Sequence, residues 1–234
     1  LILLYVCVIE RSGIVNQLCG SKIDIIDNIV ETRKNTIENQ MVAGWANYES
    51  MEDAITELEN LKDAGSENEV QVKRAEILLN LLGNTSGTGI FYVPLEENDK
   101  NGYDTLYFCD LNPESYSRTN ADIYGEYGNA AIMKTLGITM DVNWKAYADK
   151  NMLANSYITR PVEAYRENGY GEETDYGCWT VGTLPYYQGL SCIMYTIPLL
   201  GDDGQVFAVL GIEISMEYIL SLIHISEPTR LLSI

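Results

Sequence analysis

The chain has 234 residues, 46% hydrophobic and 21% charged, enough to bury one sizeable core or two small ones. Its formal net charge of −19 excludes nucleic acid and anionic lipid as direct partners, because both would repel so acidic a surface. A single histidine, five cysteines without Cys-x-x-Cys spacing and no glycine-rich phosphate loop leave no metal or cofactor constellation and no recognisable catalytic centre.

Leu1 to Ile9 is apolar throughout. Nine residues are too few to cross a bilayer, which needs about 20, so the segment reads as the end of a truncated transmembrane helix. From Glu10 the pattern turns helical. Ile14, Leu18, Ile25, Ile29, Ile37, Met41 and Trp45 recur at spacings of four, seven or eight, and residues 10–64 are expected to form a long amphipathic stalk, broken near Gly44 or Ser50. Its apolar stripe suits packing on a domain or pairing with a second copy of the chain. Ser50 to Asp53 has the composition of a helix start, and Ser66 to Leu82 forms a further helix closed by Gly83-Asn-Thr-Ser-Gly87.

The period then changes. Gly89 to Pro94 and Asp104 to Asp110 read as strands joined by a charged turn with Asn101-Gly102. Residues 121–155 are polar and read as helix and loop, with Trp144 and Tyr147 three apart on a helix. A second β region runs from Tyr176 to Ser215. Within it, Ile193, Tyr195 and Ile197 belong to one strand and Val206 to Ile214 to another, with Asp202-Asp203-Gly204 between them as a hairpin turn. Helix, two strands, helical insert, three strands: this order fits an α+β arrangement, an antiparallel sheet with flanking helices. Glu213 is the oddity, a carboxylate near the end of an apolar strand. Burying a charge is costly unless it is paired, so that strand tip is expected to face water, a basic partner or a ligand. Cys178 and Cys192 could pair across neighbouring strands or stay as buried thiols. Tyrosine outnumbers phenylalanine 17 to 3, a bias that suits amphipathic sheets and wet pockets.

Four segments in order, Tyr157-Ile-Thr-Arg-Pro-Val-Glu-Ala-Tyr165, Gly177-Cys-Trp179, Tyr195-Thr-Ile-Pro198 and Asp203-Gly204 leading to Val209-Leu-Gly-Ile-Glu-Ile-Ser215, resemble the double Cache family of extracytoplasmic sensor domains. The resemblance covers about Glu10 to Leu222 and is carried by the combination, each motif being weak alone. It implies a bacterial membrane receptor whose PAS-like membrane-distal module, here residues 65–221, binds a small ligand. The output domain, a histidine kinase, chemoreceptor domain or diguanylate cyclase, would lie in the cytoplasm. On this reading the domain is extracytoplasmic at the cell membrane, held through the N-terminal helix, and a homodimer through the long helix fits it.

Amino-acid-binding members clamp the ligand with an Arg followed by Trp-Tyr and a later Asp. Arg160 matches the Arg, Pro161-Val162-Glu163 replaces the aromatic pair, and Glu213 stands where Asp is usual. The candidate ligand-binding residues are Tyr157, Arg160, Trp179, Tyr195 and Glu213, for a small carboxylate or zwitterion. Arg160 precedes Pro161, which biases it toward an extended backbone able to present its guanidinium to a carboxylate. Residues 222–234 do not continue the family pattern. His224 to Ile234 resembles peptides translated from adapter DNA and reads as a non-native tail. Two other readings stay open: a carboxylate-dependent hydrolase, although the acids show no recognisable spacing, and a structural or adhesive cell-surface module without a small ligand.

Overall fold

A computed structural model describes residues 14–61, 66–113, 122–169, 171–183 and 191–224. Leu1 to Ile9 and the tail from Ile225 lie outside the described residues. The chain divides into two compact units, Leu1–Met41 and Val42–Ile234.

In the first unit, α1 (Ile14–Asn39) is a 26-residue helix. Lys34 lies 3.8 Å from both Glu31 and Glu38, exposed pairs one helical turn apart that each contribute a few tenths of a kcal/mol, about 0.3–0.5. Ile25, Ile26, Ile29 and Val30 are all more than half exposed on one stripe. A π-helical turn, Gln40–Trp45, follows.

In the second unit, α2 (Tyr48–Asn60) starts at Asn47, whose side chain accepts from the Ser50 amide at 3.3 Å and donates to the Asn84 carbonyl at 3.0 Å. Asn47, not Ser50, is therefore the cap, and one side chain ties the start of α2 to the end of α3 (Glu67–Thr85). A capping box between Ser66 and Glu69 opens α3.

The sheet has seven strands in the order β4-β3-β2-β1-β7-β6-β5. They are β1 (Gly89–Pro94), β2 (Leu106–Asp110), β3 (Ile123–Tyr127), β4 (Thr139–Lys145), β5 (Cys178–Thr183), β6 (Ser191–Leu200) and β7 (Val206–Ser215). All neighbours are antiparallel except β3 and β4, which run parallel and are linked through α4 (Ala130–Leu136). The two strands within 121–155 correct the expectation of helix and loop there. Trp144 lies in β4 and donates through Nε1 to the Gly128 carbonyl at 2.9 Å, while Tyr147 follows in a loop, so neither lies on a helix. The expected β6–β7 hairpin is present, with Gly204 at φ 70° in its turn.

Alternation along the strands sends side chains to two buried faces. On one, Ile90, Phe108, Leu210, Ile212 and Ile214 are buried, and α3 packs against β1 and β2. The Arg74 guanidinium lies 4.4 Å from the centre of the Tyr92 ring on this side. On the other, Phe91, Val93, Tyr107, Cys109, Met194 and Val209 form one cluster with Tyr157, Ile158 and Val162. Those three come from α6 (Ser156–Asn168), which packs on β5 and β6. Cys109, Cys178 and Cys192 are free thiols. Cys178 sits opposite Thr196 and Cys192 opposite Gly182, so the two are not cross-strand neighbours.

Gly211 of β7 faces Phe91 of β1. A Cβ there would stand 2.1 Å from Phe91 Cζ. Gly211→Ala should cost about 1–3 kcal/mol by overpacking and lower the melting midpoint by several degrees in a calorimetric scan.

Candidate functional site

The cluster on the α6 side opens into a cavity of about 270 Å³. Its floor is sheet: Phe91, Tyr107, Tyr127 and Met194 from four strands. Its wall is the last residue of β4, Lys145, and the segment after it: Asp149, Asn151, Met152, Asn155 and Tyr157. That segment is held in place by specific bonds. Tyr103 and Ala148 exchange two backbone hydrogen bonds of 3.0 Å, pinning the loop to the β1–β2 connection. Asp149 Oδ1 accepts from the amides of Asn151 and Met152, starting α5 (Lys150–Leu153). Asn155 Nδ2 bonds the Met152 carbonyl at 2.9 Å and reaches the Tyr157 hydroxyl at 3.3 Å.

The aromatic rings hold one another. Phe91 meets Tyr107 and Tyr157 edge to face, each with centroids 5.5 Å apart, and Tyr107 stacks parallel to Tyr127 at 6.4 Å. Such contacts add about 0.5–1.5 kcal/mol each beyond burial and hold the rings against one another.

Two carboxyls are buried within this unit. Glu213 is 2% exposed, and the Tyr107 hydroxyl donates to its Oε2. Burial pushes its pKa up to about 8, against a smaller lowering effect of Thr88, so it is largely protonated at neutral pH. The strand tip does not face water: Glu213 is buried on the sheet face it shares with Tyr107 and Met194, opposite Gly89, and its answer to burial is to carry a proton. Glu126 is 1% exposed, at the irregularity between β2 and β3, with both carboxyl oxygens unpaired. Burial, then the Asp141 charge, raises it to about 7.

The five sequence candidates fall in different places. Tyr157 lines the cavity. Glu213 lies behind Tyr107 and reaches the cavity only through that hydroxyl. Arg160 is exposed on α6 and donates to the Trp179 carbonyl at 3.4 Å. Its backbone is helical, not extended. Tyr157, Ile158, Pro161 and Val162 form a buried stripe one turn apart, and that burial outweighs the proline's missing N–H. Tyr195 and Trp179 pair with each other across β5 and β6. Tyr195 neighbours Met194 in sequence and so points to the opposite face, where its ring meets Tyr48 at 6.1 Å and Trp179 at 5.0 Å. Tyr195 is buried beside α2, with Trp179 half-buried against it.

Sequence reasoning missed Phe91, Tyr107, Tyr127, Lys145, Asp149 and Met194. The tyrosine bias pointed to a wet pocket, and alternation along β1 and β2 put Phe91 and Tyr107 on a strand face. Nothing local marked Lys145 or Asp149, which meet the rings only through the sheet.

No family model matches the chain, and no curated protein matches it. Solved structures do. The periplasmic sensory domain of the Campylobacter jejuni chemoreceptor Tlp1 superposes with a TM-score of 0.56 at 10% identity, over 88% of this chain and 65% of that one. The ligand-binding domain of the C. jejuni chemoreceptor Tlp3 with L-valine gives 0.52 at 12% identity, over 91% of this chain and 67% of that one. The same domain with isoleucine gives 0.51 at 12% identity, over 91% and 66%. The chain thus has the α+β fold of chemoreceptor periplasmic sensory domains, the fold that the double Cache resemblance implied, and spans about two thirds of their length.

Unfolding releases the Glu213 proton wherever the pH lies between its ordinary value of 4.5 and about 8, so this group's contribution to stability is full below that window and falls as pH rises through it. Glu126 acts the same way up to about 7. Glu213→Gln keeps an acceptor for Tyr107 and cannot ionise. Its urea midpoint relative to wild type should rise steadily from pH 5 to pH 8. A difference independent of pH would mean that Glu213 is ionised in the folded protein.

Proposed function

We propose that this chain is an extracytoplasmic small-molecule sensing domain of a bacterial transmembrane receptor, and that its ligand occupies the cavity between the sheet and the segment 145–157. The observation that carries this reading is the cavity itself: an aromatic box with one cation and one anion at its rim, in a fold shared with chemoreceptor sensory domains. A volume near 270 Å³ stands just below the range of about 300–1,000 Å³ typical of drug-sized ligands, and suits a molecule of amino-acid size. Closure of the 145–157 segment on a ligand would be the primary conformational event, since a ligand shifts the conformational balance only by what it contacts differently.

The remaining parts of the receptor follow as proposals. Residues 1–9 are apolar and would attach the domain to the membrane; among the described residues no helix is long and apolar enough to cross one. The exposed stripe Ile25, Ile26, Ile29 and Val30 supports pairing of α1 with a second copy. Residues 65–221 would be the membrane-distal module and 222–234 a non-native tail. The output domain would be a histidine kinase, a chemoreceptor signalling domain or a cyclase.

A thermal-shift screen of the chain against amino acids, short carboxylates, amines, purines and sugars tests the reading. A bound ligand at 100 times its Kd stabilises by about 2.7 kcal/mol and should raise the midpoint by several degrees. Arg160→Ala should retain that shift, because Arg160 stands outside the cavity, whereas Tyr157→Ala should lose it. Loss with Arg160→Ala and retention with Tyr157→Ala would place the ligand elsewhere.

A further inference from the structure

A second pocket, of about 230 Å³, shares no lining residue with the aromatic cavity. It lies between the first turns of α3, the β1–β2 connection, the start of α4 and the residues just after β4. Its polar lining is fixed by specific bonds. Asn98 Oδ1 accepts from the Lys100 and Gly102 amides at 2.9 and 3.0 Å, and its Nδ2 donates to Asp104 Oδ1 at 2.9 Å. Asn129 Oδ1 caps α4 by accepting from the Ala131 amide at 2.9 Å, which leaves its Nδ2 as a donor. Lys100 is tethered: Nζ donates to the Tyr147 hydroxyl at 2.5 Å and lies 4.9 Å from the centre of that ring. The side chains of Gln71 and Asp99, by contrast, make no hydrogen bond among the described residues. Thr105 also lines the pocket. It is 1% exposed, and its buried hydroxyl has no partner.

We propose that this pocket is a second binding site, which takes a neutral polyhydroxy compound of single-sugar size. The site is independent of the ligand of the aromatic cavity. A sugar hydroxyl both donates and accepts, so a ring that bears several needs donors and acceptors interleaved around it. The lining supplies them: the Glu67, Asp99 and Asp104 carboxylates accept, Gln71 does both, and Asn129 Nδ2 donates. A ligand hydroxyl would give Thr105 the partner it lacks and remove the cost of burying that group alone. Charged ligands fit less well. Three carboxylates repel an anion. A metal ion needs them convergent, and among the described residues no group of three His, Cys, Asp or Glu is placed to hold one. Lys100, beside Tyr147 and in the field of Asp104 and Glu67, already fills the place of a ligand cation.

Calorimetric titration of the 234-residue chain at pH 7 tests the site. The neutral probes are D-glucose, D-galactose, L-fucose and myo-inositol, and the charged ones D-galacturonate, putrescine and calcium chloride. At least one neutral probe should bind saturably, with every charged probe at least about tenfold weaker than the best of them. Gln71→Ala should weaken that probe about tenfold. Thr105→Val should weaken it too, and should raise the melting midpoint of the free chain, because a methyl group replaces a buried hydroxyl without a partner. Gln71 is half-buried near the start of α3, so its variant reads out the site independently of the substitution at the buried Thr105. Binding that survives both substitutions and is lost with Tyr157→Ala would put the compound in the aromatic cavity, overturning this site and leaving the sensing reading standing. A charged probe that binds as tightly as any neutral one would overturn the ligand class, and heat from none of the probes would overturn the site.

Discussion

The antiparallel pairing of β1 with β7 is the constraint on which the site depends. It sets Phe91 against Gly211 and Gly89 against Glu213 in the middle of a seven-stranded sheet. Gly211 leaves room for the Phe91 ring to lie over the backbone, and from that position the ring meets Tyr107 and Tyr157. The same register sets the Glu213 carboxyl beside Tyr107 on the cavity face and holds the phenol that lines the cavity. A slip of one residue would turn all of these side chains to the opposite face.

The other half of the site comes from residues 145–157. They are held by burial of Ala148, Met152 and Tyr157 in the same cluster and by hydrogen bonds: the Tyr103–Ala148 exchange, the Asp149 cap and the Asn155 side chain.

The buried acids show how the protein accommodates polar groups in this core. Glu213 and Glu126 are both nearly inaccessible, and both have their pKa raised by burial into or above the neutral range. A proton removes the cost of burying charge. Domain stability is thereby coupled to pH, in a chain that is otherwise strongly acidic.

The sequence by itself determined the α+β class, the long N-terminal helix, β1, β2 and the β6–β7 hairpin, because these follow from local periodicity and turn chemistry that tertiary contacts do not reverse. It also carried the resemblance to a sensor family, and it picked out Tyr157. Tertiary structure alone decided the rest. β3 contains a glycine and a buried Glu126, and β4 is a polar edge strand with exposed residues, so neither shows strand alternation of apolar residues; β3 becomes a strand by pairing with β2, and β4 by pairing with β3. Arg160 and Pro161 read as extended until burial of the stripe beside them made that segment helical. Tyr195, Trp179 and Glu213 were singled out for their chemistry, yet which sheet face each meets depends on register across distant strands. That register carried two of them away from the cavity and placed Phe91, Tyr127, Lys145 and Asp149, far apart in the chain, around it.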